Sequence, residues 1–60
     1  MITLDEVMAR SDDAVRHASA YWLATAYGLL RATEPLTPEQ RRRRRLIETE
    51  LRGREIQVPR

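Results

Sequence analysis

From Leu4 onward the apolar residues fall at three- and four-residue steps: Leu4, Val7, Met8, Val15, Ala18, Trp22, Ala26 and Leu29. That is the repeat of one helix face. No proline interrupts it before Pro35. Thr3 is a good N-cap, Glu6 three residues later makes a capping box, and Asp5 and Glu6 suit the positive end of the helix dipole. The pattern predicts a first helix over residues 4–32. Ser11-Asp12-Asp13 is a second N-cap signal, and a break there would give helices over 4–10 and 12–32. The apolar stripe keeps its phase across Ser11, which favours one continuous helix.

Pro35 disfavours helical geometry at Glu34, so a short turn over residues 33–37 follows. Thr37, Pro38 and Gln40 then supply an N-cap, a favoured first helical residue and a second capping box. A second helix is expected over residues 38–52, with Gly53 as its C-cap. The remaining tail, 53–60, alternates polar and apolar residues. It reads as a frayed end, or as an extended segment in which Ile56 and Val58 dock on a partner. The expected fold is an all-α helical hairpin, one domain spanning residues 1–60.

The two helices differ in length. A helix over 4–32 would be about 43 Å long and one over 38–52 about 22 Å. Folded back, the shorter helix leaves Leu4, Val7, Met8 and Val15 on an open apolar stripe. Further along, Trp22, Ala26 and Leu29 share one face while Leu23, Tyr27 and Leu30 share another. One short helix covers only one of them. The small residues Ala14, Ala18, Thr25, Gly28 and Ala32 lie on or beside the stripe and suit close helix approach. A homodimer forming a four-helix bundle, or docking on a larger protein, would bury what is left. The expected interface is Leu4, Val7, Met8, Val15, Trp22, Leu23, Tyr27 and Leu30, with Trp22 as anchor. Trp22 packed inside the chain against Leu46 and Ile47 is the alternative.

Composition points the same way. A chain of 60 residues has a small core, and small domains usually add disulfides, a metal or a partner. There is no cysteine and only one histidine, which leaves association. Charge is divided unevenly. Residues 1–35 carry three arginines against five acids, net −2, and residues 36–60 carry eight arginines against four acids, net +4. The two halves attract each other within a hairpin or across a dimer. The N-terminal segment lacks the long apolar run of a secretory signal, and Ala18–Leu30 is too short to span a bilayer. A cytoplasmic protein with no membrane contact is expected.

Residues that carry chemistry are sparse. Asp13 and His17 lie one helical turn apart, but a zinc site needs three or four ligands, so they read as a solvated pair. Ser19 is two residues from His17 and does not face it on a helix. Gly28 and Gly53 form no phosphate loop, and Tyr21 and Tyr27 read as packing residues. No catalytic residue, cofactor, metal or small-molecule substrate is expected.

The run Arg41, Arg42, Arg43, Arg44 and Arg45 sweeps all sides of a helix. It suits phosphates of DNA or RNA, or an acidic partner. Against that, Glu39 is placed to pair with Arg43, Glu48 with Arg44, Arg45 or Arg52, and Glu50 with Arg54. The run then becomes a solvated face. Residues Thr3 to Leu23, TLDEVMARSDDAVRHASAYWL, resemble the opening of a bacterial helix-turn-helix over about a third of the chain. Ser11-Asp12-Asp13 stands where that family has its turn glycine. Its recognition helix would be the apolar Ala20-Tyr21-Trp22-Leu23, which suits a core, so the family is not assigned. The sequence alone therefore points first to a non-enzymatic protein-interaction module, a subunit, adaptor or inhibitor using the apolar surface of helix 1. A small DNA- or RNA-binding regulator is second.

Overall fold

Every helix among the described residues begins at a hydroxyl side chain. The computed structural model describes residues 1–54. They form α1 (Leu4–Ala9), α2 (Asp12–Arg16), α3 (Ala20–Ala32) and α4 (Pro38–Gly53). Thr3 Oγ1 accepts from the Glu6 N–H at 3.2 Å. Ser11 Oγ accepts from the Ala14 N–H, Ser19 Oγ from the Trp22 N–H and Thr37 Oγ1 from the Gln40 N–H, each at 3.1 Å. Each cap satisfies one of the free donors of a helix start and holds its own backbone extended, with ψ near 160°.

The continuous helix expected over residues 4–32 is therefore three helices. The chain breaks at Arg10–Ser11, where Ser11-Asp12-Asp13 signals a cap, and again between Arg16 and Ala20. A break also frees carbonyls at the helix end behind it. Two arginines of α4 and its C-terminal edge reach across to take them. Arg43 Nη2 donates to the Arg10 carbonyl at 2.7 Å. Arg54 Nη2 donates to the Arg16 carbonyl at 2.8 Å, and its Nη1 to the Ala18 carbonyl. Caps on one side and guanidinium groups on the other let the fold tolerate both breaks.

The breaks let the N-terminal third fold back. α1 packs on α3, α2 packs on α4, and α3 packs on α4. The molecule measures 27 × 24 × 22 Å, shorter in every direction than the ~43 Å helix expected. Its radius of gyration is 10.3 Å, close to the ~10 Å of a single compact chain this size. The long-helix hairpin with its overhanging stripe is thus replaced by a closed cluster of four helices.

One core results. Val7, Val15, Leu23, Leu30, Ile47 and Leu51 are fully buried, together with Ala18, Trp22, Ala26, Tyr27 and Leu36. Ile2, Leu4, Met8, Leu29 and Leu46 pack against its edge. The two apolar faces of α3 are both covered, with α4 and α1 as its packing partners.

The start of α4 follows its sequence signals: the Thr37–Gln40 capping box is complete and Pro38 opens the helix. Its end differs. Gly53 stays helical, neither glycine has a positive φ, and the Arg54 N–H closes the helix onto the Glu50 and Leu51 carbonyls. Ile56 and Val58 lie outside the described residues. No helix among the described residues is long and apolar enough to cross a membrane.

Candidate nucleic-acid interface

The eight residues expected to form a protein interface lie in or against the chain's own core. Val7, Val15, Trp22, Leu23, Tyr27 and Leu30 are buried; Leu4 and Met8 are half-buried at its rim. They form no apolar surface. The expected overhang depended on a straight first helix, and the bend at Ser11 removes it. Trp22 is an intrachain residue, with the Arg10 guanidinium 4.5 Å from its ring centre. Its indole N–H is buried and has no acceptor among the described residues. Trp22 and Leu23 are buried and so withdrawn from any role as groove readers, while Ala20 and Tyr21 of the same segment stay exposed.

The surface that remains is set by α4. A residue every 100° of helix divides its side chains by destination. Ile47 and Leu51 point into the core, and Leu46 lies at its edge. Arg43 lies on the same inner side. Its side chain is only 10% exposed, its Nη2 holds the Arg10 carbonyl, and it stands 3.4 Å from Asp12 Oδ1. The expected Glu39–Arg43 pair does not form, because Arg43 turns inward while Glu39 stays exposed. Arg44 is paired with Glu34 at 2.8 Å. Glu48 pairs with Arg52 at 3.1 Å and Glu50 with Arg54 at 3.7 Å.

The other half of the helix is open. Pro38, Arg41, Arg42, Arg45, Thr49 and Arg52 are all exposed, and helical geometry puts them on one face with no acid among them. Arg41, Arg42 and Arg45 have no carboxylate partner among the described residues, and with Pro38 they line an open concavity. They crowd the first two turns of α4, where the helix dipole already presents positive charge. An anion there is attracted by the guanidinium groups and the helix terminus together.

The run of five arginines therefore has three jobs. Arg43 holds the fold, Arg44 ties α4 to the α3–α4 turn, and Arg41, Arg42 and Arg45 face outward. Arg52 belongs to the same outward face but is not among the expected site residues, since it lies outside the run. Spacing of four and then seven residues from Arg41 through Arg45 to Arg52 is the signal that could have found it.

Other chemistry is thin. His17 Nδ1 lies 2.9 Å from the Asp13 carbonyl and 3.8 Å from its carboxylate, and both side chains are largely exposed. No group of three or more metal-ligating side chains occurs among the described residues. Tyr27 donates its hydroxyl to Glu48 Oε2 at 3.1 Å. Burial raises the Tyr27 pKa above 10.0, and the adjacent Glu48 carboxylate raises it further; Arg31 and Arg44 oppose. The folded state holds this proton more tightly than the unfolded one. Its stabilising contribution is full below about pH 10 and is lost as pH rises through the folded-state pKa. Melting temperature should fall between about pH 9 and pH 11, and Tyr27→Phe should make that fall shallower in a circular-dichroism melt series. An unchanged slope would refute the linkage.

Comparison with protein-family models, with curated proteins and with solved structures finds no match. What is established is the class of molecule: a small all-helical protein.

Proposed function

We propose that this protein is a small non-enzymatic nucleic-acid-binding module that contacts phosphates through the outer face of α4. The observation that carries the reading is that face itself: Arg41, Arg42 and Arg45 exposed together with no carboxylate partner among the described residues, and Arg52, paired with Glu48, on the same side. The three unpaired guanidinium groups suit phosphate oxygens, which accept their paired N–H donors. The apolar alternative has little left to work with. Met1 and Tyr21 are the only large hydrophobic residues left exposed among those described, and protein interfaces draw their energy from buried aromatic and aliphatic anchors.

Fluorescence anisotropy with a labelled duplex of about 20 base pairs at low salt tests the reading. Arg41→Gln, Arg42→Gln and Arg45→Gln combined should weaken binding at least tenfold while the helical spectrum survives. The slope of log affinity against log salt should fall by about 2.7, at ~0.9 for each phosphate no longer neutralised. Absence of binding by the unaltered protein at about 50 mM salt, or equal binding by the triple variant, sinks the proposal. Competition by poly-glutamate as effective as that by DNA would point instead to an acidic protein.

A second reading, a homodimer, rests on one observation. Tyr21 is 78% exposed on α3, and Gly28, two turns on, has open space where a Cβ would stand. Nothing among the described residues accounts for glycine at that helical position, which costs ~1 kcal/mol against alanine. Sedimentation should then show a dimer that Tyr21→Arg dissociates. A single monomeric species up to about 100 µM removes this reading.

A further inference from the structure

We infer that the ligand is double-stranded B-form DNA and that α4 lies lengthwise in its major groove. This rests on the phosphate-binding reading above and goes on to name the form of nucleic acid and the docking geometry. Three features of α4 support it.

The first is shape. α4 has 16 residues and so is ~24 Å long. Its inner side is packed on α2 and α3, while its outer side stands free. The B-form major groove is ~12 Å wide and admits an α-helix. The A-form groove of duplex RNA is deep and narrow and does not.

The second is the spread of charge around the helix. Arg41 and Arg42 are ~100° apart, and Arg52 returns to the side of Arg41 after three turns. Arg45 and Thr49 lie between these flanks. A helix in a groove meets a row of phosphates on either side, so cations are wanted on both flanks. A single strand asks for one row only.

The third is the absence of stacking surfaces. Single-strand binders present aromatic side chains to successive bases. No aromatic residue occurs in α4, Trp22 and Tyr27 are buried, and Tyr21, though exposed, stands alone on α3, so no row of stacking surfaces is presented among the described residues.

The test uses the whole protein and three probes of one sequence: duplex DNA, duplex RNA and single-stranded DNA, at one salt concentration. Duplex DNA should bind at least fivefold tighter than either other probe. Thr49→Glu places an acid mid-face, two turns from Arg42 and outside the concavity. It should weaken duplex binding at least tenfold without loss of helix signal, and Arg52→Gln should weaken it about threefold or more. Equal or tighter binding of single strands or duplex RNA overturns the groove geometry. So does unimpaired binding by both Thr49→Glu and Arg52→Gln while the Arg41, Arg42 and Arg45 triple variant fails. That pattern would confine the contact to the start of α4 and leave the phosphate-binding reading standing. No binding to any of the three probes overturns both.

Discussion

Leu23→Ala is expected to abolish cooperative folding at about 25 °C. Leu23 is fully buried on α3, the helix that packs against both α1 and α4. Removing three buried carbons there loses their transfer energy and leaves a cavity, and such changes cost ~2.7–5 kcal/mol. A core of this size rarely supplies more than ~3–5 kcal/mol in total. The variant therefore has almost nothing left, and its thermal melt by circular dichroism should show a sloping baseline with no transition. Leu23→Met, which keeps the volume, should cost less than ~1.5 kcal/mol and retain a transition. A cooperative melt for Leu23→Ala within a few degrees of the unaltered protein would mean that α3 is not the centre of the core.

The second large effect is expected inside the arginine run. Arg43→Ala should lower stability by ~2 kcal/mol, whereas Arg41→Ala, Arg42→Ala and Arg45→Ala should each stay within ~0.5 kcal/mol. In a domain this small the first corresponds to a melting shift of roughly 8–16 °C. The reason is position. The Arg43 stem is buried and its Nη2 supplies the hydrogen bond to the carbonyl that the α1–α2 break leaves open. The neighbouring Asp12 carboxylate is 66% exposed, so the ion pair itself adds little. Arg43 Nη1 is buried without a partner, which offsets part of the gain. Arg43→Met keeps the stem and removes that orphan donor, so it should fall between alanine and arginine. Four equal losses across Arg41, Arg42, Arg43 and Arg45 would contradict the inward placement of Arg43.

Affinity and stability thus separate along five consecutive residues of one type. Substitution at Arg43 is expected to show in the melt, and under the proposed function substitution at Arg41, Arg42 and Arg45 is expected to show in the salt-dependent binding curve. Nothing in the sequence distinguishes these arginines except their angle on the helix relative to Ile47 and Leu51. That angle is legible once those two residues define the inner face. The four-residue spacing of Glu39 and Arg43 obscures it, because a local pair competes on paper with a contact 33 residues away in sequence.

The sequence by itself determined the local events. All-helical character followed from the apolar periodicity, and the Thr3 cap, the Thr37–Gln40 capping box, Pro38 and the turn before it marked where helices begin; of the Thr3–Glu6 capping box only the Thr3 half forms. Ser11-Asp12-Asp13 carried a readable cap signal too, whereas the cap at Ser19, which has no acid in the turn behind it, was shown only by the structure. These signals act within four residues of themselves, so neighbouring letters are enough to read them. Whether a cap breaks a helix is a different question. A break costs hydrogen bonds at the end it creates, and that cost is met here by Arg43 and Arg54, which arrive from the far end of the chain. Only the tertiary structure brings them there. The same long-range event turned the expected interface into core and left the outer side of α4 as the exposed charged face.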